Sequence, residues 1–454
     1  MNTIYKLFYA LLLLSSTTSC DSFLDREPLA QVTNDKYFNS ETNANAAAIG
    51  MYRTMTSSFT YGQTMVIVPE FSANHVSHAS VFPEYENFKT HEVTAINPWI
   101  ANTWQGIYAT INAANNIIAQ VAEMPENIIA EEKRAQFIGE AKFVRALNYF
   151  FLVRAFGHVP LKLSATTEDE DVAVPQSAPE VIYEQLVKDL RESITELPET
   201  HENVEATKGR ATQAAAQALL AKVYLYQASI TGDYAQAATT AAEVINSGDF
   251  QLVENFGSIW ASENTTESIF ELQFDDQTIN TLASVANDNA SMLFYAKDAS
   301  VAGLFEEGDK RRDFSVVHGS RDRYYMGKFP NANPPSQNLP LIRLAELLLI
   351  HAEAQARASN TISDVAFNSL EQVLTRAGVT KEKSEFVTVE SFVKFIQEEK
   401  ERELLFEGET WFDFCRTGLA LEKYETLANE NGFVYPIPSA QINLNRELEQ
   451  NLGY

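Results

Sequence analysis

The segment EEKERELLFEGETWFDFCRTG, from Glu398 to Gly418, decides most of what this sequence says about its fold. Its charged first half contains only good helix formers and leads into the apolar group 404–406, which predicts a helix that enters a core. Gly408 is placed to end or kink that helix. The aromatic side chains that follow supply more apolar area than a surface loop needs, and Asp413 and Arg416 are close enough to satisfy one another. We therefore expect the segment to lie at the centre of a large domain.

The carboxylates of this segment allow two interpretations. Glu399, Glu403 and Glu407 recur at i, i+4 spacing, so they share one face of the predicted helix. Paired carboxylates can perform acid and base chemistry, which would suggest an enzyme. Such a stripe is more typical of a solvated, ion-paired helix face, and we favour that interpretation.

Composition limits the class of protein. With 454 residues, 45% of them hydrophobic, the chain can bury a large core as one big domain or as two or three ordinary ones. The formal net charge is -27, and a surface this acidic repels nucleic acid. We exclude nucleic-acid binding on this ground.

The N-terminus has the pattern of an export signal. Lys6 precedes an apolar run at 7–14, which is too short to span a bilayer, and small polar residues then lead to Cys20. This predicts a lipoprotein signal peptide over residues 1–19 with lipidation at Cys20; the alternative is a plain secretory peptide with an incidental cysteine. The second cysteine, Cys415, then has no partner and is expected to be a small buried hydrophobe.

Helical patterns dominate the rest of the chain. Small and apolar residues recur at helical spacing on both sides of Gly232-Asp233 within 209–248, which predicts a helix hairpin of tetratricopeptide type. A second hairpin is predicted over 341–358 and 363–377. The alternating segment 269–274 predicts one of a few short strands. The expected fold is a mostly α scaffold of helix hairpins with long irregular loops.

Two stretches without helical period, at about 56–98 and 275–335, are candidate ligand-binding loops. Aromatic faces stack on sugar rings, and amide, carboxylate and guanidinium groups pair with hydroxyls. The candidates in the first stretch are Phe71, Asn74, His75, His78, Phe82, Tyr85 and Asn87. Those in the second are Asn287, Asn289, Tyr295, Arg321, Tyr324 and Tyr325. For each of them a purely structural role is the alternative.

Cofactor and metal chemistry find little support in the sequence. His75 and His78 are three residues apart and could share a metal, but no Cys, Asp or third His cluster accompanies them. We interpret them as solvent-facing loop histidines, and we expect neither a metal nor a cofactor. No nucleophile elbow, phosphate-binding glycine loop or dinucleotide fingerprint is present.

The central segment also carries a family resemblance. Glu403-Leu404, Phe406-Glu407-Gly408 and Trp411-Phe412-Asp413 resemble the C-terminal signature of the SusD/RagB family, whereas Glu409-Thr410, Cys415 and Thr417 depart from it. Gly157-His158-Val159-Pro160 and the ending from Tyr435 to Tyr454 are similar to the family's corresponding segments.

This resemblance implies one SusD-like domain over residues 20–454. It further implies a lipid-anchored outer-membrane protein that faces the cell exterior. Such a protein is not an enzyme: it binds oligosaccharide nutrients and delivers them to a SusC-like TonB-dependent transporter.

Three alternatives stay open from the sequence: a peptide-binding member of the same family, a secreted glycan-cleaving enzyme, and a helical-repeat scaffold for a protein partner. Loss of the signal peptide removes Lys6 and no acid, so the mature chain has 33 basic and 61 acidic side chains and a net charge of -28. Because residues 56–98 contain only Lys89 as a fixed positive charge, we expect a neutral glycan rather than an acidic one.

Overall fold

The computed structural model describes residues 37–79, 82–166, 173–289 and 291–454. The predicted signal peptide and Cys20 lie outside these residues. Nineteen α-helices and eight short strands follow one another in the described part of the chain. The first helices and strands are α1 Glu41–Met55, α2 Thr64–Ser72, β1 Val76–His78, α3 Glu86–Lys89, α4 Pro98–Ala122, α5 Glu131–Phe156, β2 Val159–Pro160, β3 Gln176–Ser177, α6 Pro179–Glu196 and α7 Val204–Gly209.

The middle of the chain contains α8 Gln213–Thr231, α9 Ala235–Ser247, α10 Ser258–Ala261, β4 Ser268–Leu272, α11 Thr281–Val285, β5 Phe294–Ala296, α12 Ala299–Ala302, α13 Arg312–Ser315, β6 Val316–His318, β7 Tyr324–Met326 and β8 Leu339–Arg343. The last helices are α14 Leu344–Ser359, α15 Asp364–Ala377, α16 Val389–Glu403, α17 Thr410–Thr417, α18 Leu419–Lys423 and α19 Ser439–Leu444. The mostly α prediction is confirmed.

Both predicted helix hairpins are present. Helices α8 and α9 pack side by side, and the turn between them includes Gly232 in the left-handed conformation at φ +81°. Helices α14 and α15 form the second hairpin, which packs on α9 and on α16. Helices α4, α5 and α6 pack in series on the other side of α8 and contribute to the main core cluster, whereas the interior of the second hairpin forms a separate core cluster with α16. The tetratricopeptide-type packing follows from small residues such as Ala215 and Ala218, which let neighbouring helices approach closely.

The helix of the central segment begins before Glu398, where the sequence pattern starts, and it ends before the predicted end at Gly408. Helix α16 starts at Val389, where Thr388 caps it, and stops at Glu403, so Gly408 lies in the connection to α17 rather than at the helix end. Gly408 has φ +81°, and a Cβ atom there would lie 2.9 Å from the Cα atom of Val66 in α2. Glycine is therefore required both by conformation and by close approach. The expected central position is confirmed, because Trp411 is only 1% exposed.

The stretch 56–98 is more regular than expected. It contains the whole of α2, all nine residues of which are buried. A helix that is covered on every side has no polar face, and so it leaves no 3.6-residue period in the sequence. The prediction of one long irregular stretch is wrong for this reason.

Strands tie the distant parts of the chain together. Strand β4 pairs with β8 and thereby connects the segment after the first hairpin to the start of the second. A four-stranded antiparallel sheet has the order β1-β5-β7-β6, and it joins the stretch 56–98 to the stretch 275–335. We call it the joining sheet. It positions the candidate site.

Candidate functional site

The joining sheet has a buried inner face and an open outer face. Pairing of Val76 with Ala296 and of His78 with Phe294 places these four side chains on the same face, which packs on the core. Side chains alternate along each strand, so Ser77 and Tyr295 lie on the opposite, outer face.

Strand β7 divides its two tyrosines between these faces. Ala296 pairs with Tyr324, so Tyr324 belongs to the inner face, where it packs against the core and contacts His318 with ring centroids 5.0 Å apart. Tyr325 pairs with the half-buried Val317 of β6 and lies on the outer face beside Tyr295. The sequence could not separate the two tyrosines, because they are adjacent and chemically identical.

We call the outer-face group Tyr295, Arg323 and Tyr325 the tyrosine platform. The Tyr295 hydroxyl donates a hydrogen bond to the carbonyl oxygen of His78 at 2.9 Å, which fixes the ring on the sheet. The guanidinium of exposed Arg323 lies 4.6 Å from the centroid of that ring. Burial and the nearby Asp288 raise the pKa of Tyr325, so its hydroxyl stays protonated at neutral pH. The platform thus offers two aromatic rings, a hydroxyl group and a cation to solvent.

Three predicted ligand-contacting residues are core residues instead. Phe71 and Tyr85 are fully buried and stack on each other with ring centroids 4.7 Å apart, and His75 is 3% exposed. A covered side chain cannot touch a ligand, so direct contact is a wrong prediction for these three. Aromatic residues in an apparent loop suggest a binding surface. In the structure these three side chains lie in the core instead.

The other predicted residues lie at or near the joining sheet. Half-buried His78 hydrogen-bonds the carbonyl oxygen of Ala79, and Asn287 donates to the carbonyl oxygen of Phe329. These two side chains therefore hold the loops. Asn74 is half-buried two residues before the start of β1, in the left-handed conformation at φ 59°. Half-buried Phe82 contacts Trp99 edge to face, with ring centroids 5.4 Å apart.

The sequence reasoning missed two residues of this surface. Trp99, in the first turn of α4, is half-buried and stacks on Tyr85 at 4.4 Å between ring centroids. Arg323 lies in sequence between the predicted residues Arg321 and Tyr324 but is not among the predicted residues. The signal that could have indicated a strand is the pair Tyr324-Tyr325, because aromatic residues are enriched in strands.

His75 connects the joining sheet to the central segment. Its imidazole nitrogens hydrogen-bond Glu70 at 2.8 Å and Glu401 at 3.2 Å, and Glu401 also pairs with Lys423. Burial alone would lower the pKa of His75, but hydrogen bonds to Glu401 and Glu70 raise it to about 9. The expectation of a solvent-facing loop histidine is therefore wrong for His75: it is a buried, charged link.

The glutamate stripe of α16 is ion-paired, as expected, but it is buried rather than solvated. Glu403 is fully buried and accepts hydrogen bonds from Arg311, Arg343 and Arg376. We call this group with its partners the buried ion network; the other members are Glu267, Asp309, Lys328, Glu399, Arg402 and Glu407.

Each carboxylate of the buried ion network has a cationic partner. Burial alone would raise the pKa of Glu403, but Arg376, Arg343 and Arg311 hold it well below its usual range. Burial lowers the pKa of Lys328 to about 8, against the attraction of Glu407. A fully paired, covered carboxylate has neither a proton to give nor access to a substrate, so this stripe does not support the enzyme interpretation.

Metal binding and membrane spanning find no support in the described residues. No three His, Cys, Asp or Glu side chains come together there in a metal-ligating arrangement. Within the same residues, no helix is long and apolar enough to cross a bilayer. Cys415 is half-buried, and burial raises the pKa of its thiol well above the usual value.

Comparison with known proteins agrees with this architecture. A family model described as "Starch-binding associating with outer membrane" matches residues 22–225, and one described as "SusD family" matches residues 312–432. The chain belongs to the SusD/RagB family.

Individual relatives have low sequence identity to this chain, but the similarity extends over most of their length. A SusD-like protein of Bacteroides ovatus is 25% identical over 87% of this chain and 78% of its own. The SusD-like protein P25 of Formosa agariphila is 25% identical over 97% of this chain and 98% of its own. The solved structure of a laminarin-binding SusD-like protein superposes with a TM-score of 0.78 at 24% identity, over 92% of this chain and 100% of that one. The SusD-like fold is thereby confirmed.

Proposed function

We propose that this protein is a non-catalytic, lipid-anchored oligosaccharide-binding protein of the outer membrane, and that its ligand sits on the tyrosine platform. The observation that carries the proposal is the outward orientation of Tyr295 and Tyr325 where the two loop stretches meet. Two aromatic rings beside a guanidinium can stack on sugar rings and pair with their hydroxyls without any catalytic group.

The family supports the same ligand class. One matching family model is described as starch-binding, and a relative with this fold is described as laminarin-binding. Peptide binding is the second candidate, because tyrosine and arginine also serve peptide recognition. The arrangement supports a sugar better, since the two tyrosines lie on β5 and β7, which are paired on both sides and offer no open strand edge to a peptide.

Calorimetry with purified protein tests the proposal. Laminarihexaose, maltohexaose, cellohexaose and mixed peptides are titrated into the wild-type chain and into Tyr325→Ala. We expect one neutral glycan to bind and Tyr325→Ala to weaken it about tenfold, the loss typical of one stacking ring. Tyr454→Ala, which removes a tyrosine that is 40% exposed outside the joining sheet, is the matched control and should bind normally. Equal loss in both variants would contradict the platform.

Delivery to a TonB-dependent, SusC-like transporter is the cellular part of the proposal. A protein that hands its ligand to a barrel needs a complementary face of roughly 1,000 Å² or more, and the packed helix hairpins present broad surfaces of this kind. Affinity purification from solubilised outer membranes should recover a large β-barrel transporter. Cys20→Ala should release the protein from the membrane fraction; if that fraction is unchanged, lipidation at Cys20 is wrong.

A further inference from the structure

A second cavity lies away from the tyrosine platform. It has a volume of about 450 Å³, which falls within the range of roughly 300–1,000 Å³ found for small-molecule sites. Its lining includes Trp104, Tyr108 and Asn112 of α4, and other lining residues come from the segment after β2 and from the end of α19. We call it the α4 groove.

The α4 groove contains a polar group that lacks a partner. Trp104 is 96% buried, being only 4% exposed, yet its indole N–H has no hydrogen-bond acceptor among the described residues. The indole N–H groups of Trp99 and Trp411 are fully enclosed, whereas that of Trp104 is not, and Trp104 meets open space in this cavity. A donor held in this way is available to a bound acceptor.

The remaining polar groups of the groove suit hydroxyls. The amides of Gln105 and Gln441 have no side-chain partner in the described structure, and each can both donate and accept. The side-chain amide oxygen of Asn112 accepts a hydrogen bond from the backbone N–H of Thr166. The side-chain NH₂ group of Asn112 is then free to donate. Amides of this kind match a sugar, whose hydroxyls also donate and accept.

Aromatic and apolar surface completes the groove. The half-buried ring of Tyr108 lies 5.1 Å from that of Trp104, and its hydroxyl is held by the carbonyl oxygen of Pro160. Leu444, which is 75% exposed, forms part of the rim. Within the described ranges of the chain, no acidic residue lines the cavity, and Lys162 is the one charged residue of this described lining. The described lining, which is mostly amides and apolar or aromatic side chains, suits a ligand rich in hydroxyl groups.

We propose that the α4 groove is a second saccharide site, which binds one or two neutral sugar rings through the Trp104 indole N–H, the Tyr108 ring and the amides of Gln105 and Asn112. This inference rests on the proposed glycan-binding function, but it uses none of the platform residues. Two sites on one chain bind a long glycan more tightly than either site binds a short one, because the second contact is intramolecular.

Indole NMR signals test the groove directly. The chain has four tryptophans, so the protein labelled with ¹⁵N in tryptophan gives four indole signals, and Trp104→Phe identifies the one from the groove. Laminaribiose, maltose and cellobiose are titrated at millimolar concentration into the wild-type chain and into Tyr325→Ala. We expect one disaccharide to shift the Trp104 signal to saturation in both, while the Trp260 signal stays in place.

The groove variant is Gln105→Ala with Asn112→Ala. Because Gln105 is exposed and Asn112 is half-buried, the melting temperature should stay near that of the wild type, and the disaccharide affinity should fall about tenfold. A Trp104 shift that persists at unchanged affinity in this variant would show an indirect effect and overturn the proposal.

The same titrations separate the two proposals. One outcome is that no disaccharide shifts the Trp104 signal, while calorimetry shows hexasaccharide binding that Tyr325→Ala weakens. This outcome overturns the α4 groove proposal and supports the platform. A shifted Trp104 signal with no effect of Tyr325→Ala in calorimetry supports the groove and overturns the platform. If no glycan shifts the Trp104 signal and none binds in calorimetry, both the groove and the platform proposals are overturned.

Discussion

The buried ion network and the tyrosine platform use similar residue types for opposite purposes. In the network, arginines are covered and paired with carboxylates: Arg343 is 1% exposed and contacts Glu267, Glu403 and Glu407. In the platform, Arg323 is exposed and its guanidinium lies over the ring of Tyr295. Covered charges that satisfy each other hold the fold, whereas exposed groups with unused hydrogen-bonding capacity can hold a ligand.

The largest effect is expected from breaking the buried ion network. Glu403→Gln keeps the shape of the side chain but leaves three buried guanidinium groups without their shared anion. We expect a loss of about 3–5 kcal/mol in the free energy of unfolding, measured by urea denaturation, as for other broken buried ion pairs. The control is Glu422→Gln, which removes the exposed pair with Lys394 and should cost about 0.5 kcal/mol or less. Equal losses would contradict the distinction.

Trp411 tests the apolar part of the same region. Its ring stacks on His91 with centroids 5.0 Å apart, and it belongs to the core cluster that contains Leu405 and Phe406. Trp411→Ala should lower the free energy of unfolding by about 3 kcal/mol or somewhat more, as for other large-to-small changes in a core. The readout is the melting temperature. A shift of only a degree or two would contradict the prediction, because it would mean that neighbouring side chains fill the space left by the indole ring.

The contribution of His75 to the free energy of unfolding should depend on pH. The folded-state pKa of about 9 is above the ordinary value of 6.5, so the stabilisation by charged His75 is complete below about pH 6.5 and is lost as the pH rises towards 9. His75→Gln should therefore be less stable than the wild type at pH 6 by about 2 kcal/mol, and the gap should narrow by pH 9. Urea denaturation at both pH values measures this gap, and a constant gap would show that His75 is neutral in the fold.

The smallest effect concerns salt. Asp288 lies close enough to Tyr325 of the platform to raise its pKa, and Asp322 precedes Arg323 in the chain, so acidic groups accompany the one cation of the platform. Stacking and hydroxyl pairing are also short-range. A neutral glycan should therefore bind with an affinity that changes less than about twofold between low and high ionic strength. Calorimetry with a sulfated or uronate-rich polymer provides the contrast, and tight, salt-sensitive binding of such a polymer would overturn the neutral-ligand prediction.

The sequence by itself determined the elements whose pattern is local. Small residues around Gly232 predicted the first hairpin, and the apolar group after Glu403 predicted burial of the central segment. Helical period and turn chemistry depend on neighbours in the chain, so they can be read without a structure.

Tertiary structure alone decided which charges are covered and which rings are exposed. The i, i+4 glutamates have the spacing of a solvated face, and only the arrival of Arg311, Arg343 and Arg376 from distant segments makes their burial possible. Likewise Tyr324 and Tyr325 are equivalent in sequence, and only the register of β5, β6 and β7 directs one ring inward and the other to solvent. Burial and strand register are set by contacts between residues far apart in the chain, and a local sequence pattern does not contain that information.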